Sequence, residues 1–156
     1  MGLWSPRGTE AFLLRKQLEC QHVAIFNNIT PEFARSMAGR SVAERARAAA
    51  FFGAAALLIS GQMAGASADP EQIREAKEAV PQALVLANTG VSEKNVETLL
   101  GIADGAIVGT SLKENGFIWN PVDPERVRRL MARVREIRED QNADTASTQF
   151  GPAKEG

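Results

Sequence analysis

Four short apolar runs, separated from one another by segments with helical character, constrain the fold of this chain most strongly. The runs are residues 23–29 (VAIFNNI), 56–60 (ALLIS), 83–88 (ALVLAN) and 105–110 (GAIVGT). Each is continuously apolar rather than alternating, which is typical of parallel strands buried on both faces. Alternation of such strands with helices predicts an α/β fold built on a parallel sheet.

Capping residues mark the expected helix starts. The predicted caps are Ser41, Asp69, Ser92 and Asp123. Ser41 and Glu44 have the spacing of a capping box, in which each side chain satisfies a free backbone amide. A further helix is predicted near residues 9–19, with Phe12, Leu13 and Leu18 turned inward.

The length of the chain favours one domain. At 156 residues it is long enough to bury a substantial core. The patterned region predicts a domain over residues 1–139. Residues 140–156 are polar and aperiodic, so they are predicted to form a disordered tail.

Composition excludes several classes of function. Eighteen basic and 19 acidic residues give a net charge of -1, which argues against a nucleic-acid partner. One cysteine and one histidine argue against a metal centre, and no sequence motif indicates a bound cofactor. No apolar run is long enough for a transmembrane segment, and the first residues lack a signal-peptide pattern, so a cytoplasmic location is expected.

Candidate binding residues follow from the strand polarity. In α/β folds ligands bind at the carboxyl ends of the strands. Two glycine-containing loops there could cradle a phosphate, because glycine lets an anion approach the backbone closely. The predicted phosphate-binding residues are Asn88, Thr89, Gly90, Gly109, Thr110, Ser111 and Lys113, and the predicted lid or rim residues are Asn28, Ser60, Gly61 and Gln62. A plain turn remains an alternative for each loop.

The order of several motifs resembles the BtpA/SgcQ family. The motifs are NTGV (residues 88–91), ADGAIVGTSLK (103–113) and WNPVD (119–123), preceded by GRS (39–41) and by Ser60-Gly61 with a later Gly65. The resemblance covers about residues 2–138. It implies a partial (β/α)8 TIM barrel of the ribulose-phosphate-binding class, containing helix 4 and βα units 5–8, with strands 1–4 missing.

The resemblance also implies alternatives for function. Cyanobacterial members are associated with photosystem I biogenesis, which suggests a non-catalytic assembly or stability factor, whereas other relatives have no settled reaction. Many members carry Asp-x-His-x-Lys-His after the fifth strand, and here residues 28–33 read NITPEF. No acid/base pair replaces that motif at the strand ends, so catalytic residues are unknown and the sequence does not decide whether the chain is an enzyme.

The leading hypothesis is a phosphorylated small-molecule ligand at the last two strand ends. An inactive gene fragment is the third hypothesis, beside the assembly factor. A half-barrel has exposed sheet edges, which predicts a homodimer in which two halves meet. An open flavodoxin-like sheet is the alternative fold, since its strands have the same local pattern.

Overall fold

A computed structural model describes residues 8–33 and 39–149 of the chain. The described residues form α1 (Gly8–Gln17), β1 (Phe26–Asn28), α2 (Val42–Phe51), β2 (Ala56–Ile59), α3 (Pro70–Ala79), β3 (Leu84–Ala87), α4 (Val96–Leu100), β4 (Gly105–Ala106) and α5 (Pro124–Gln149). Two 3-10 turns, Thr110–Leu112 and Glu114–Gly116, lie between β4 and α5. None of the helices within these residues is long and apolar enough to cross a membrane.

The sheet is parallel throughout, as the sequence predicts. Its strands lie in the order β1-β2-β3-β4, so each strand pairs with its neighbour along the chain. Phe26 pairs with Ala56, Ala56 with Leu84, and Leu86 with Gly105. Sequential parallel strands joined by helices are the repeating unit of a (β/α)8 barrel, and four of its eight strands are present in the described residues.

The helices cover one face of this sheet and form the core with it. Residues of β2 and β3 that point to this face, such as Leu57 and Val85, are completely buried. They pack against apolar side chains of the helices, namely Val42, Ala46, Ala49, Ile73, Ala76, Val96, Leu99, Leu130, Val134 and Ile137. Burying this set supplies most of the apolar stabilisation of the fold.

The second face of the sheet differs from the sequence prediction, because its large apolar side chains are left exposed. Phe26 is 50% exposed, Leu84 53% and Ile107 40%. The strand register places these three side chains on the same face, opposite the helices. Their apolar character fits the interior of a closed barrel, where side chains of further strands would fill the space. The prediction of burial on both faces was therefore wrong for the described chain.

Helix starts follow the capping pattern in three of the four predicted places. Ser41 accepts from the Glu44 amide, and the Glu44 carboxylate accepts from the Ser41 amide, which completes the capping box. Asp69 and Asp123 each accept from the amide two residues ahead. Ser92 does not cap α4. Instead, the Asn95 side chain accepts from the Ser92 amide, and the helix begins only at Val96.

At both ends of the described residues the structure differs from the sequence predictions. Phe12 of α1 is buried, but Leu13 and Leu18 are more than half exposed. At the other end α5 continues to Gln149, where a disordered tail was expected from residue 140. No proline or glycine interrupts residues 140–149, and the Gln141 side chain donates to the Leu100 carbonyl at 3.0 Å. Residues 150–156 lie outside the described residues.

Candidate functional site

The carboxyl ends of the four strands lie along one edge of the sheet, which collects most of the residues singled out from the sequence. Asn28 ends β1, Ser60 and Asn88 directly follow β2 and β3, and Gly109 lies shortly after β4. A parallel sheet places these positions in neighbouring rows about 5 Å apart. The edge therefore brings together loops that are distant in the sequence.

The loops that follow β2 and β3 pack closely on each other. The Gly61 amide donates to the Thr89 hydroxyl at 2.5 Å, and the Ala68 amide donates to the Thr89 carbonyl at 3.2 Å. A Cβ atom added at Gly90, whose φ is +64°, would lie 2.3 Å from the Ser67 nitrogen. A Cβ at Gly61 would lie equally close to the Ala66 carbonyl oxygen. These two glycines are therefore needed for loop packing.

The loops that follow β3 and β4 are joined by Ser111. Its hydroxyl donates to the Val91 carbonyl at 2.6 Å. Because this bond spans two neighbouring strand ends, it holds the two predicted phosphate loops side by side. The tertiary structure thus supports grouping the two loops into one site.

Backbone amides along these two loops remain available. Among the described residues no hydrogen-bond acceptor serves the amides of Gly90, Gly109, Thr110 and Ser111, none of which is fully buried. A Cβ at Gly109 would have no atom within 4 Å, so the backbone there faces open space. Rows of unpaired amides of this kind bind anions through their N–H groups.

Two basic residues adjoin the loop that follows β4: Lys113 directly follows the turn Thr110–Leu112, and Arg126 contacts Ser111. Lys113 is half-buried, and its ammonium group has no ion-pair partner within the described part of the chain. Arg126 donates through Nη1 to the Ser111 carbonyl at 3.2 Å, and its Nε lies 3.5 Å from Asp123. Arg126 is not among the residues singled out from the sequence. Its only sequence signal is the Asp123-x-x-Arg126 spacing beside the helix cap.

The predicted rim residues form a polar cluster at the ends of β1, β2 and β3. The Ser60 hydroxyl oxygen accepts from Asn28 Nδ2 at 2.9 Å and from Asn88 Nδ2 at 2.8 Å. The Thr30 hydroxyl accepts from the Ser60 amide at 2.6 Å. Gln62 is exposed, and its carbonyl accepts from the Phe33 amide. Asn88 therefore belongs to the polar cluster as well as to the predicted phosphate loop.

The structure brings together few ionisable groups at this edge. Glu32 reaches Asn28 Nδ2 at 3.4 Å, and Asp69 caps α3. The described residues contain no group of three histidine, cysteine, aspartate or glutamate side chains that could hold a metal ion. Within the described residues, this arrangement contains hydrogen-bond donors and basic side chains but no paired acid and base.

The carboxylate with a lowered pKa lies at the opposite edge. Burial raises the pKa of Asp104, but hydrogen bonds from Lys77 and from the Val85 amide outweigh it, with the Lys77 charge acting in the same direction, so the pKa falls below its usual value. Lys77 Nζ lies 2.6 Å from the Asp104 carboxylate. Asp104 therefore connects α3 to the start of β3 and has a structural role.

A comparison with known families identifies this chain. The sequence profile of the BtpA family matches residues 1–136. The chain belongs to the BtpA family. A putative sgc region protein, SgcQ of Escherichia coli K12, is 36% identical over 138 residues, which are 88% of this chain and 52% of that protein. The chain thus spans about half the length of this relative.

A second relative is named for photosystem I biogenesis. The photosystem I biogenesis protein BtpA of a Synechocystis strain is 31% identical to this BtpA-family chain over 80 residues, which are 51% of the chain and 28% of that protein. These matches confirm the resemblance drawn from the motif order.

Solved structures confirm the fold class of the BtpA-family chain. A phosphoribosyl anthranilate isomerase from Thermus thermophilus aligns with a TM-score of 0.60 at 17% identity, over 85% of this chain and 57% of that one. A structure described as native KDPGal aligns with a TM-score of 0.59 at 19% identity, over 84% of this chain and 56% of that one. At these identities the likeness concerns the fold alone, which is that of a partial barrel.

Proposed function

We propose that this chain binds a phosphorylated small molecule, with the phosphate on the backbone amides of the loops that follow β3 and β4. The single observation that carries the proposal is the hydrogen bond from the Ser111 hydroxyl to the Val91 carbonyl. This bond holds the two loops side by side, so that the unpaired amides of Gly90 and of residues 109–111 can act together. Phosphate sites of (β/α)8 barrels commonly lie in the loops after the last two strands, beside a short extra helix, and the 3-10 turn Thr110–Leu112 has this position.

The chemistry of the loops supports an anionic rather than a neutral group. Hydrogen bonds from amides to an anion are shorter and stronger than neutral ones. The half-buried Lys113 adds a positive charge close to the loop that follows β4. Hydrogen bonding and one nearby cation are enough to hold a phosphate, so this part of the proposal requires no metal ion.

Isothermal titration calorimetry with inorganic phosphate and with ribose 5-phosphate tests the proposal. The decisive variant is Gly109→Asp, because its carboxylate would occupy the open space beside the amides and repel the anion. We expect saturable binding by the unmodified chain and at least a tenfold loss in Gly109→Asp.

The matched control is Gln82→Asp. It adds the same charge at an exposed position before β3, at the opposite edge of the sheet, and is expected to bind as the unmodified chain does. Absence of saturable binding for both compounds, or equal affinity in Gly109→Asp, contradicts the proposal.

A second candidate function is a non-catalytic assembly role, which the name of the Synechocystis relative suggests. The observation that favours it is an exposed apolar segment between the second 3-10 turn and α5, where Trp119 is 84% exposed and Phe117 56%. Exposed aromatic side chains of this kind often contact protein partners. In this case Trp119→Ser would abolish co-purification of a stable partner without changing phosphate affinity, and no partner would be recovered if the role is absent.

A further inference from the structure

The polar cluster at the ends of the first three strands centres on a buried hydroxyl. Ser60 is only 4% exposed, and its oxygen accepts one hydrogen bond from Asn28 and one from Asn88. The strand register places all three side chains on the sheet face that the helices leave uncovered. Polar groups from three adjacent strands thus converge on one atom at the mouth of the half-barrel.

The unused protons and lone pairs of this cluster determine which ligand groups it can hydrogen-bond. A serine hydroxyl has one proton and two lone pairs. The two amide groups use both lone pairs, and the Thr30 amide, which donates to Asn28 Oδ1 at 3.2 Å, fixes the Asn28 orientation. No described residue accepts the Ser60 proton, and none donates to Asn88 Oδ1. The cluster therefore presents a donor and an acceptor side by side.

A hydroxyl group is the natural complement of this pair, because it both donates and accepts. The three side chains are uncharged, so they do not favour a charged ligand group. Asn88 is directly followed by Thr89 and Gly90 of the phosphate loop. A ligand bound there through its phosphate would extend over Asn88 towards Ser60.

We propose that Asn28, Ser60 and Asn88 recognise the hydroxyl groups of a polyol chain, so that the ligand is a phosphate ester of a polyol. This inference rests on the proposed phosphate site and adds the chemical class of the rest of the ligand. Ser60 and Asn88 would contact the ligand directly, and Asn28 would position the Ser60 hydroxyl.

Comparing the affinities for two phosphate esters tests this inference separately from the proposed phosphate site. Ethyl phosphate has no hydroxyl group, whereas ribose 5-phosphate has several. We expect the unmodified chain to bind ribose 5-phosphate about tenfold more tightly than ethyl phosphate, since one or two hydrogen bonds between neutral groups contribute about that factor. Ser60→Ala is expected to remove the difference while keeping the affinity for ethyl phosphate.

A second variant keeps the test decisive if Ser60→Ala fails to fold. Asn28→Asp preserves the shape of the side chain but turns a donor into an acceptor, so that it would take the Ser60 proton away from the ligand. It is expected to lower ribose 5-phosphate affinity several-fold. The control Thr98→Ala removes an exposed hydroxyl from α4 and is expected to change neither affinity.

The outcomes distinguish the two proposals. Equal affinity of the unmodified chain for both esters overturns this inference and leaves the phosphate site standing. An unchanged preference for ribose 5-phosphate in both Ser60→Ala and Asn28→Asp also overturns it. If neither ester nor inorganic phosphate binds, the proposed function fails, and this inference fails with it.

Discussion

The hydroxyl of Ser111 donates to the carbonyl of Val91 at 2.6 Å and so joins the two loops that end the last pair of strands. The two residues are separated by α4 and β4 in the sequence. Their contact depends on the pairing of β3 with β4, which places the loops in neighbouring rows. It is therefore a tertiary feature on which the candidate phosphate site depends.

Removing this hydroxyl tests the importance of the contact. In Ser111→Ala the Val91 carbonyl loses its partner, and we expect a stability loss of about 1 kcal/mol in urea unfolding. Because the loops are then free to separate, the affinity for inorganic phosphate should fall several-fold. Full phosphate affinity in a folded Ser111→Ala chain would show that the contact does not organise the site.

Gly90 and Gly65 form a matched pair for the packing of the loops. Both have a positive φ, +64° and +82°, but a Cβ at Gly90 would meet the Ser67 backbone at 2.3 Å while one at Gly65 would meet nothing within 4 Å. The free energy of unfolding of Gly65→Ala should therefore fall by only about 1–2 kcal/mol, which is the cost of a Cβ atom in the left-handed conformation. Gly90→Ala adds a steric clash, which costs a further 1–3 kcal/mol or so. Urea unfolding of both variants measures the difference, and equal losses would contradict the packing role of Gly90.

The Asp104 carboxylate predicts a pH-dependent contribution to stability. Its pKa is lowered in the folded chain from its ordinary value of 3.8, so its stabilisation is fully present above that value and is lost as the pH falls through the lower folded pKa. Asp104→Asn should therefore be less stable than the unmodified chain at pH 7, and the difference should shrink below about pH 3.8.

Urea unfolding at a series of pH values provides the measurement. Glu78→Gln, which removes an exposed carboxylate from α3, serves as the control and should show no such pattern. A difference between Asp104→Asn and the unmodified chain that stays constant with pH would argue against the Lys77 contact.

The uncovered sheet face predicts self-association of this chain. The outer sides of β1 and β4 have no strand partner among the described residues, and one face of the sheet is apolar. A closed barrel needs four further strands, which a second copy of the chain could supply. We expect light scattering to give twice the chain mass of 16.8 kDa. Leu84→Lys places a charge on the uncovered face and should shift the mass to that of a monomer. The control Thr98→Lys adds the same charge at an exposed position of α4, on the helix-covered side of the sheet, and should leave the mass unchanged.

Much of the architecture could be predicted from local pattern. The capping box at Ser41 and Glu44, the caps at Asp69 and Asp123, and the parallel strands all appear where the sequence places them. Each depends on residues within one or two turns of each other, or on a run of apolar side chains. The cap at Ser92 was wrong, because the Asn95 side chain also donates to the Gly90 carbonyl and is positioned by the neighbouring loop.

The sequence by itself determined the family, the strand and helix order, and which ends of the strands carry the candidate site. Only the tertiary structure decided which loops meet, that Gly61 and Gly90 are required by a close backbone approach, and that Asn28, Ser60 and Asn88 share one hydroxyl. The physical reason is how far apart the contacting residues lie in the sequence. Caps and strand runs arise from neighbours along the chain, whereas these contacts arise between strands whose register is set by packing against the helices.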